Sequence, residues 1–312
     1  MIVTKRHPLK FYASLVFGFL FLFALGTMLM LISIKTLQKE NIENKEYFLP
    51  VISFLLYSSA FLIVYTYWKS SPQVVINQDI VKIGNQSFNL RDIKDIILTG
   101  KMPFRFIITL PMEGTALLFN DGTQKILFDD MYSNSSEVKL FLEQVVLNKQ
   151  EYKPIVSKNI DKDVIRFADK EIFKGNQLTS LRGISLWGVI GFFGFIFLLK
   201  DQPAKIGPMI FILLFLIFWF VLNSWLMHYF ELTKDYLVVR NHNFIWKIKI
   251  YQLSDIKEIV FETQGKQPNC MRVITKDFKN KIYPAGTLRD KTWLLFKDKL
   301  EAKGITVRNE CI

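Results

Sequence analysis

Few residues in this chain have the type and spacing that catalysis or metal binding requires. None of the three histidines, His7, His228 and His242, has another histidine, a cysteine or an acidic cluster at metal-ligand spacing. The two cysteines, Cys270 and Cys311, have no histidine beside them that could act as a catalytic base. The sequence contains no glycine-rich phosphate loop, no GxSxG elbow and no HExxH pair. We therefore predict no catalytic residue, no metal site and no cofactor, and we expect that the protein is not an enzyme.

The acidic residues that occur in close pairs are expected to lie on solvated faces. They are Asp92 with Asp95, Asp129 with Asp130, and Asp161 with Asp163.

Basic residues concentrate towards the C-terminus of a chain whose formal net charge is +12. Such a face suits anionic lipid headgroups or a membrane protein partner, although a solvated surface is the commoner explanation of a basic run. Aromatic residues do not interleave with the basic ones in a nucleic-acid pattern, so nucleic acid is not expected as a partner. The candidate lipid or partner face consists of Lys266, Arg272, Lys276, Lys279, Lys281, Arg289 and Lys291.

The chain contains four stretches without Asp, Glu, Lys or Arg. These stretches must position any basic face relative to a membrane. A membrane core about 30 Å thick requires roughly 20 apolar residues in a helix. Three of the stretches reach that length, and the third in chain order is shorter. Buried helices of a soluble protein would show a polar side, which these stretches do not have. The predicted spans are 11–34, 47–68, 183–199 and 206–230.

The distribution of basic residues predicts the orientation of the chain. An even number of spans places the N-terminus and both long polar segments on one side of the membrane. Within 15 residues of the spans, that side has ten Lys and Arg residues, and the opposite side has five. The positive-inside rule therefore predicts an integral cytoplasmic-membrane protein with four spans and with both termini in the cytoplasm. The spans contain no internal charge, which argues against a transporter.

Similar motifs in the two polar segments indicate an internal duplication. RDIKDIIL at Arg91–Leu98 and SDIKEIVF at Ser254–Phe261 are 163 positions apart. VINQDIVKI at 75–83 matches ELTKDYLVV at 231–239 with an offset of 156. The second segment therefore has about seven additional residues before its motif, in the stretch NHNFIWKIKIYQ. Repetition of this kind is typical of duplicated domains.

Each polar segment reads as short strands followed by one helix. Gly84-Asn85 and Asp121-Gly122 have the composition of hairpin turns. Helical spacing in SSEVKLFLEQVVL and over Thr292–Lys303 predicts a helix at the end of each segment, with Gly304 ending the second helix.

The stretch between the two halves carries apolar residues at roughly helical spacing. Val164, Phe167, Ala168 and Phe173 predict a short amphipathic helix. The predicted organisation is a first hairpin in 1–68, a first soluble domain at 69–150, this linker at 151–182, a second hairpin at 183–230 and a second soluble domain at 231–312.

The order of these elements resembles the bacterial membrane proteins that join a two-helix hairpin to a PH-like domain. The resemblance rests on Asn77–Ile83 with Leu90–Ile97, and on Thr233–Val239 with Leu253–Val260. The tryptophan that precedes the acidic residue in that family is replaced by Arg91 and Ser254. The resemblance implies an α+β membrane protein with two repeats. Each repeat would be a transmembrane hairpin followed by a PH-like antiparallel β-barrel or sandwich, closed by a C-terminal helix.

Three functions are compatible with these features. The first is a non-enzymatic membrane protein that presents two PH-like domains at the cytoplasmic surface and binds or scaffolds a protein or anionic lipid. The second is an immunity protein that protects the cell against a membrane-acting toxin. The third is a lipid-modifying membrane enzyme, which would require an acid–base or metal cluster near the membrane.

Overall fold

The computed structural model describes residues 1–38, 47–105, 109–155, 160, 169–199, 206–263, 265 and 267–312. The chain has an α+β fold and divides into two compact units, Met1–Ile155 and Val156–Ile312.

The first unit begins with one short strand, β1, which is followed by two long helices. A helical turn at Pro8–Ala13 leads into helix α1 at Ser14–Leu37, and helix α2 spans Phe48–Ser70. Large apolar side chains of both helices, such as Phe17 and Phe54, are exposed and form an apolar outer surface.

Two four-stranded antiparallel sheets complete the first unit, and both contribute to one core. The first sheet has the order β1-β2-β3-β4, and β7 of the second sheet pairs with each of β5, β6 and β8. Val81, Leu117 and Leu142, from the two sheets and the closing helix, are fully buried in this core. The elements are β1 Ile2–Val3, β2 Val74–Ile76, β3 Ile80–Ile83, β4 Gln86–Asn89, β5 Ile93–Ile97, β6 Lys101–Arg105, β7 Thr109–Phe119, β8 Gln124–Phe128 and α3 Ser135–Phe141, which continues as a wider turn to Leu147.

The second unit also contains a helical hairpin, two four-stranded sheets and a closing helix. Its first sheet has the order β12-β11-β10-β9, and its second has the order β15-β14-β13-β16. Phe230, Phe261 and Phe296, from the two sheets and the closing helix, are fully buried together. The elements are β9 Glu171–Phe173, α4 Leu181–Leu198, α5 Ile206–Trp225, β10 His228–Leu232, β11 Tyr236–Asn241, β12 Ile248–Gln252, β13 Ile256–Glu262, β14 Cys270–Thr275, β15 Asn280–Pro284, α6 Asp290–Ala302 and β16 Thr306–Asn309.

Among the described residues, three helices are long and apolar enough to cross a membrane: Pro8–Leu37, Phe48–Ser70 and Ile206–Trp225. The apolar part of α4, Leu181–Phe197, is shorter, so the predicted span 183–199 stays a prediction. The predicted span 206–230 was too long. Its helix α5 ends at Trp225, and Phe230 belongs to a strand and lies in the core of the second unit.

Of the predicted barrel or sandwich, the sheets do not form a closed barrel in the described part of the chain. Among the described residues, the strands of each unit form two separate sheets. In the second unit the edge strands β12 and β15 are joined by the hydroxyls of Tyr251 and Tyr283, 2.6 Å apart. The final strand β16 was not predicted, and it pairs with β13 in parallel.

The structure confirms the turn residues. Gly84 (φ 60°) and Gly122 (φ 81°) lie in the turns β3–β4 and β7–β8, and Gly304 (φ 77°) follows the end of α6. Positive φ is accessible to glycine at low cost, which explains why these positions could be recognised from sequence.

The repeated DIK motif has the same backbone geometry in both units. In the first unit, the N–H of Leu90 donates to the carbonyl of Asp79, and the carbonyl of Asp92 accepts from Asn120, both at 2.8 Å. A 3₁₀ turn at Leu90–Asp92 then leads into β5, whose pairing shifts register at Lys94.

In the second unit, the corresponding hydrogen bonds are donated by Leu253 to Asp235 and by Lys276 to Asp255, again at 2.8 Å. The register of β13 shifts at Lys257. The motif therefore forms a turn followed by a bulge, and the aspartates contribute through their main-chain carbonyls.

The segment before α4 forms a strand where the sequence predicted a helix. Phe173, which we placed on the amphipathic helix, lies in β9 and is buried in the core. Val164, Phe167 and Ala168 lie outside the described residues. β9 pairs with β10, just as β1 pairs with β2, so that in each unit a hairpin is inserted between two neighbouring strands.

Gly175→Ala should destabilise the second unit by about 1–3 kcal/mol, since a Cβ atom at this position would collide with the main-chain carbonyl of Thr287. Thermal unfolding of the full chain in detergent measures the effect. Gly188→Ala is the control, because a Cβ at Gly188 meets no atom within 4 Å. If the two variants were equally stable, the close packing of Gly175 against the main chain of Thr287 would be contradicted.

Candidate functional site

The predicted basic face loses one member, because Arg272 is buried. Lys266 lies outside the described residues. Arg272 is buried, whereas Lys276, Lys279, Lys281, Arg289 and Lys291 are exposed. Lys276 follows Thr275, the last residue of β14, and Lys281 lies on β15, where it pairs in register with Val273.

Arg272 belongs to a buried ion pair. Its Nη2 atom lies 2.8 Å from Oε1 of Glu262, and both side chains are 1% exposed. Its Nη1 atom donates to Oδ1 of Asn280 at 3.2 Å. Arg272 therefore cannot contact a lipid surface, and the prediction that it belongs to the basic face was wrong.

The structure instead brings polar side chains together at the end of α5, beside the β11–β12 loop. Asn223 and Ser224, at the end of α5, are buried although both are polar. The side-chain amide of Asn241 donates to the carbonyl of Ser224, and that of Asn243 donates to the Ser224 hydroxyl, both at 2.7 Å. Arg182, near the start of α4, donates to Asn223 at 3.4 Å. These bonds hold the β11–β12 loop against the end of the hairpin.

Aromatic and basic residues surround this junction. The Lys247 ammonium lies 4.3 Å from the centre of the Trp225 ring and 4.5 Å from the centre of the Phe244 ring, which is within range for cation–π attraction. Lys249 lies 5.6 Å from the Tyr251 ring on β12, and Lys281 lies 5.6 Å from the Tyr283 ring on β15.

Lys247 and Lys249 influence Lys281. Burial lowers the pKa of Lys281, and repulsion from Lys249 and Lys247 lowers it further. No carboxylate forms a salt bridge with any of the three in the part of the chain that the structure describes.

Lys247 and Lys249 were missed by sequence reasoning. The signal available was the alternation KIKIY in the additional residues before the second DIK motif.

The first unit has a related junction built from different residues. The Arg6 guanidinium donates to the carbonyl of Ser71 through Nε (3.1 Å) and Nη2 (3.0 Å), and its centre lies 3.9 Å above the Trp68 ring. The Tyr132 hydroxyl donates to the carbonyl of Pro72 at 2.6 Å. The segment before α1 is thereby tied to the segment after α2.

Two histidines, His228 and His242, lie near the second junction. Nδ1 of His228 lies 2.9 Å from the carbonyl of Pro284, which requires the N–H on Nδ1. Burial is the main cause that lowers the pKa of His228 to about 4, with smaller effects from Lys247 and Lys281. The pKa of His242 is also lowered by burial.

Acid should destabilise the second unit through His228. The folded state binds this proton only near pH 4, whereas the unfolded chain binds it near its ordinary pKa of 6.5. The stabilisation is therefore complete above pH 6.5, and about 3 kcal/mol is lost as the pH falls from 6.5 to 4. Unfolding of the full chain at several pH values measures this slope. His228→Gln should flatten it, and an unchanged slope would contradict the assignment.

Both cysteines are at least partly buried. Burial raises the pKa of Cys311 to about 11, so its thiol stays protonated at neutral pH. Cys270 is buried, and its Sγ contacts the carbonyl of Pro268. Among the described residues, no group of three His, Cys, Asp or Glu side chains could hold a metal ion.

No protein-family model matches this chain, and no curated protein matches it either.

Proposed function

We propose that the protein is a non-enzymatic membrane-anchored platform whose two PH-like domains bind a protein or an anionic lipid at the cytoplasmic surface. The observation that carries the proposal is the insertion of a helical hairpin between two neighbouring strands in each unit. A domain attached by one flexible linker could rotate freely. Attachment through two paired strands restricts its orientation, which benefits a surface that must meet a ligand at a constant height above the bilayer.

The proposal includes a duplication of one hairpin-and-domain unit, supported by strand register. In the first unit Val74 pairs with Ile83 and Ile76 with Val81. In the second, Phe230 pairs with Val239 and Leu232 with Leu237, each pair displaced by 156 positions. Shared register is expected from common descent, because a shift of one residue would move every side chain to the other face.

The proposed topology has four spans with both termini cytoplasmic. Single cysteines introduced at Asn85 and Asn309 should be protected from a membrane-impermeant maleimide in intact cells, in a chain whose native cysteines are replaced by serine. A cysteine at Gln38, after α1, should react in intact cells. Reaction of Asn85Cys or Asn309Cys in intact cells would contradict the topology.

The binding function is tested by crosslinking the tagged full chain in its native membranes and identifying the proteins and lipids that are retained. We expect one protein or one class of anionic lipid at near-stoichiometric amounts. The control is an unrelated tagged membrane protein with four spans, captured in parallel. Recovery of only the bulk membrane composition, as with the control, would overturn the proposal.

A further inference from the structure

The β11–β12 loop extends back along the last turns of α5. The Phe244 ring contacts the Phe220 ring edge-to-face, with centroids 6.3 Å apart. Phe220 precedes Trp225, the last residue of α5, by five positions, which corresponds to about 7.5 Å along the helix axis. The loop therefore extends beside the apolar surface of the helix and not away from it.

The tip of this loop exposes apolar residues where a soluble protein would place polar ones. Ile245 is 74% exposed and Trp246 is 69% exposed. The hydrogen bonds of Asn241 and Asn243 to Ser224 hold the loop in this position. Tryptophan is favoured at the boundary between headgroups and hydrocarbon, because one side of its ring is apolar and its N–H can meet water.

Exposed cations follow the apolar tip. Lys247 and Lys249 are exposed, and Lys281 on β15 is close enough to both to feel their charge. An anion among these three ammonium groups would relieve their mutual repulsion. An apolar tip beside a group of lysines is the arrangement with which proteins bind to anionic bilayer surfaces.

We propose that Ile245 and Trp246 insert into the leaflet that α5 enters, and that Lys247, Lys249 and Lys281 bind the headgroup phosphate of an anionic phospholipid there. The inference rests on the proposed membrane placement and names the ligand for one of the two domains. The additional residues that distinguish the second domain from the first would thus create a lipid site.

The test reconstitutes the full chain in nanodiscs containing equal amounts of phosphatidylglycerol and phosphatidylcholine. Native mass spectrometry then measures which lipid remains bound on release. Wild type should retain phosphatidylglycerol preferentially, and Lys247→Gln/Lys249→Gln/Lys281→Gln should lower that affinity on the order of 100-fold. The triple arginine variant at the same positions should retain binding.

A charge-matched control separates the site from the overall charge of the protein. Lys234→Gln/Lys297→Gln/Lys303→Gln removes the same charge from solvent-accessible positions of the same unit that belong to neither basic group, and it should leave phosphatidylglycerol retention unchanged. Ile245→Ser/Trp246→Ser should also weaken retention, and as both residues are exposed, the domain should still fold.

Two results would contradict these proposals, and each contradicts a different part of them. If alkaline carbonate extracts the chain from membranes, the proposed membrane placement fails, and the lipid site fails with it. If the chain stays integral but both triple glutamine variants retain phosphatidylglycerol as wild type does, only the lipid site is overturned.

Discussion

Arg272→Met should lower the free energy of unfolding of the second unit by about 3–5 kcal/mol. The substitution leaves the Glu262 carboxylate, 1% exposed, without the guanidinium that lies 2.8 Å away. A buried carboxylate without its cation has lost hydration without gaining Coulomb attraction in return. Chemical unfolding of the full chain in detergent, followed through Trp293 in the core, measures the loss.

Two further variants make this prediction specific. Arg289→Met removes an exposed charge from the same predicted face and should change stability by less than about 0.5 kcal/mol. The double variant Arg272→Met/Glu262→Leu should recover most of the stability, because apolar residues of similar volume replace the whole pair. The assignment would be refuted by a single variant at Arg272 that is as stable as Arg289→Met.

Lys139→Met should destabilise the first unit by a similar amount, about 3–5 kcal/mol. Nζ of Lys139, on α3, lies 2.7 Å from Oδ2 of Asp129, and the two side chains are 2% and 1% exposed. The substitution would leave the Asp129 carboxylate buried without this ammonium group. Thermal unfolding of the full chain reports the loss.

Asp130→Asn is the neighbouring control for this ion pair. Asp130 bonds Lys10 at 2.7 Å, but these side chains are 27% and 43% exposed, so the pair is worth about 0–1 kcal/mol. Asp129→Asn should behave as Lys139→Met does. Equal effects of the two asparagine substitutions would show that burial does not distinguish these adjacent aspartates.

Both ion pairs illustrate why charge alone is a poor guide to a functional face. Asp129 was expected on a solvated face, and Arg272 was expected on a lipid or partner face. Each side chain is buried because its position on a strand end or a central strand places it inside the unit. Strand alternation cannot reveal this, since every residue from Cys270 to Ile274 on β14 is buried.

The local elements that were predicted correctly share a local cause. The turns at Gly84 and Gly122 and the end of α6 at Gly304 depend on a backbone conformation that glycine adopts at little cost. The two DIK segments have the same local hydrogen bonds because their turn and bulge depend on consecutive residues. Long apolar helices were recognisable for the same reason, since length and composition alone distinguish them.

Contacts between distant residues explain what sequence reasoning missed. β1 and β9 are too short to show periodicity, and each becomes a strand only because a partner beyond a helical hairpin pairs with it. The parallel strand β16 likewise depends on β13, which precedes it by more than 40 positions. Lys247 and Lys249 influence Lys281 only because the hydroxyls of Tyr251 on β12 and Tyr283 on β15 meet between two different sheets.

By itself, the sequence determined the apolar helices, the turns, the repeated motif and the basic character of the chain, because these depend on composition and on neighbours along the chain. Only the tertiary structure decided which charges are buried in ion pairs, that the described strands of each unit form two separate sheets, and that Lys247 and Lys249 come near enough to Lys281 to lower its pKa. These features depend on burial and on pairing across long separations, where one charged residue type can serve either as a core ion pair or as a surface cation.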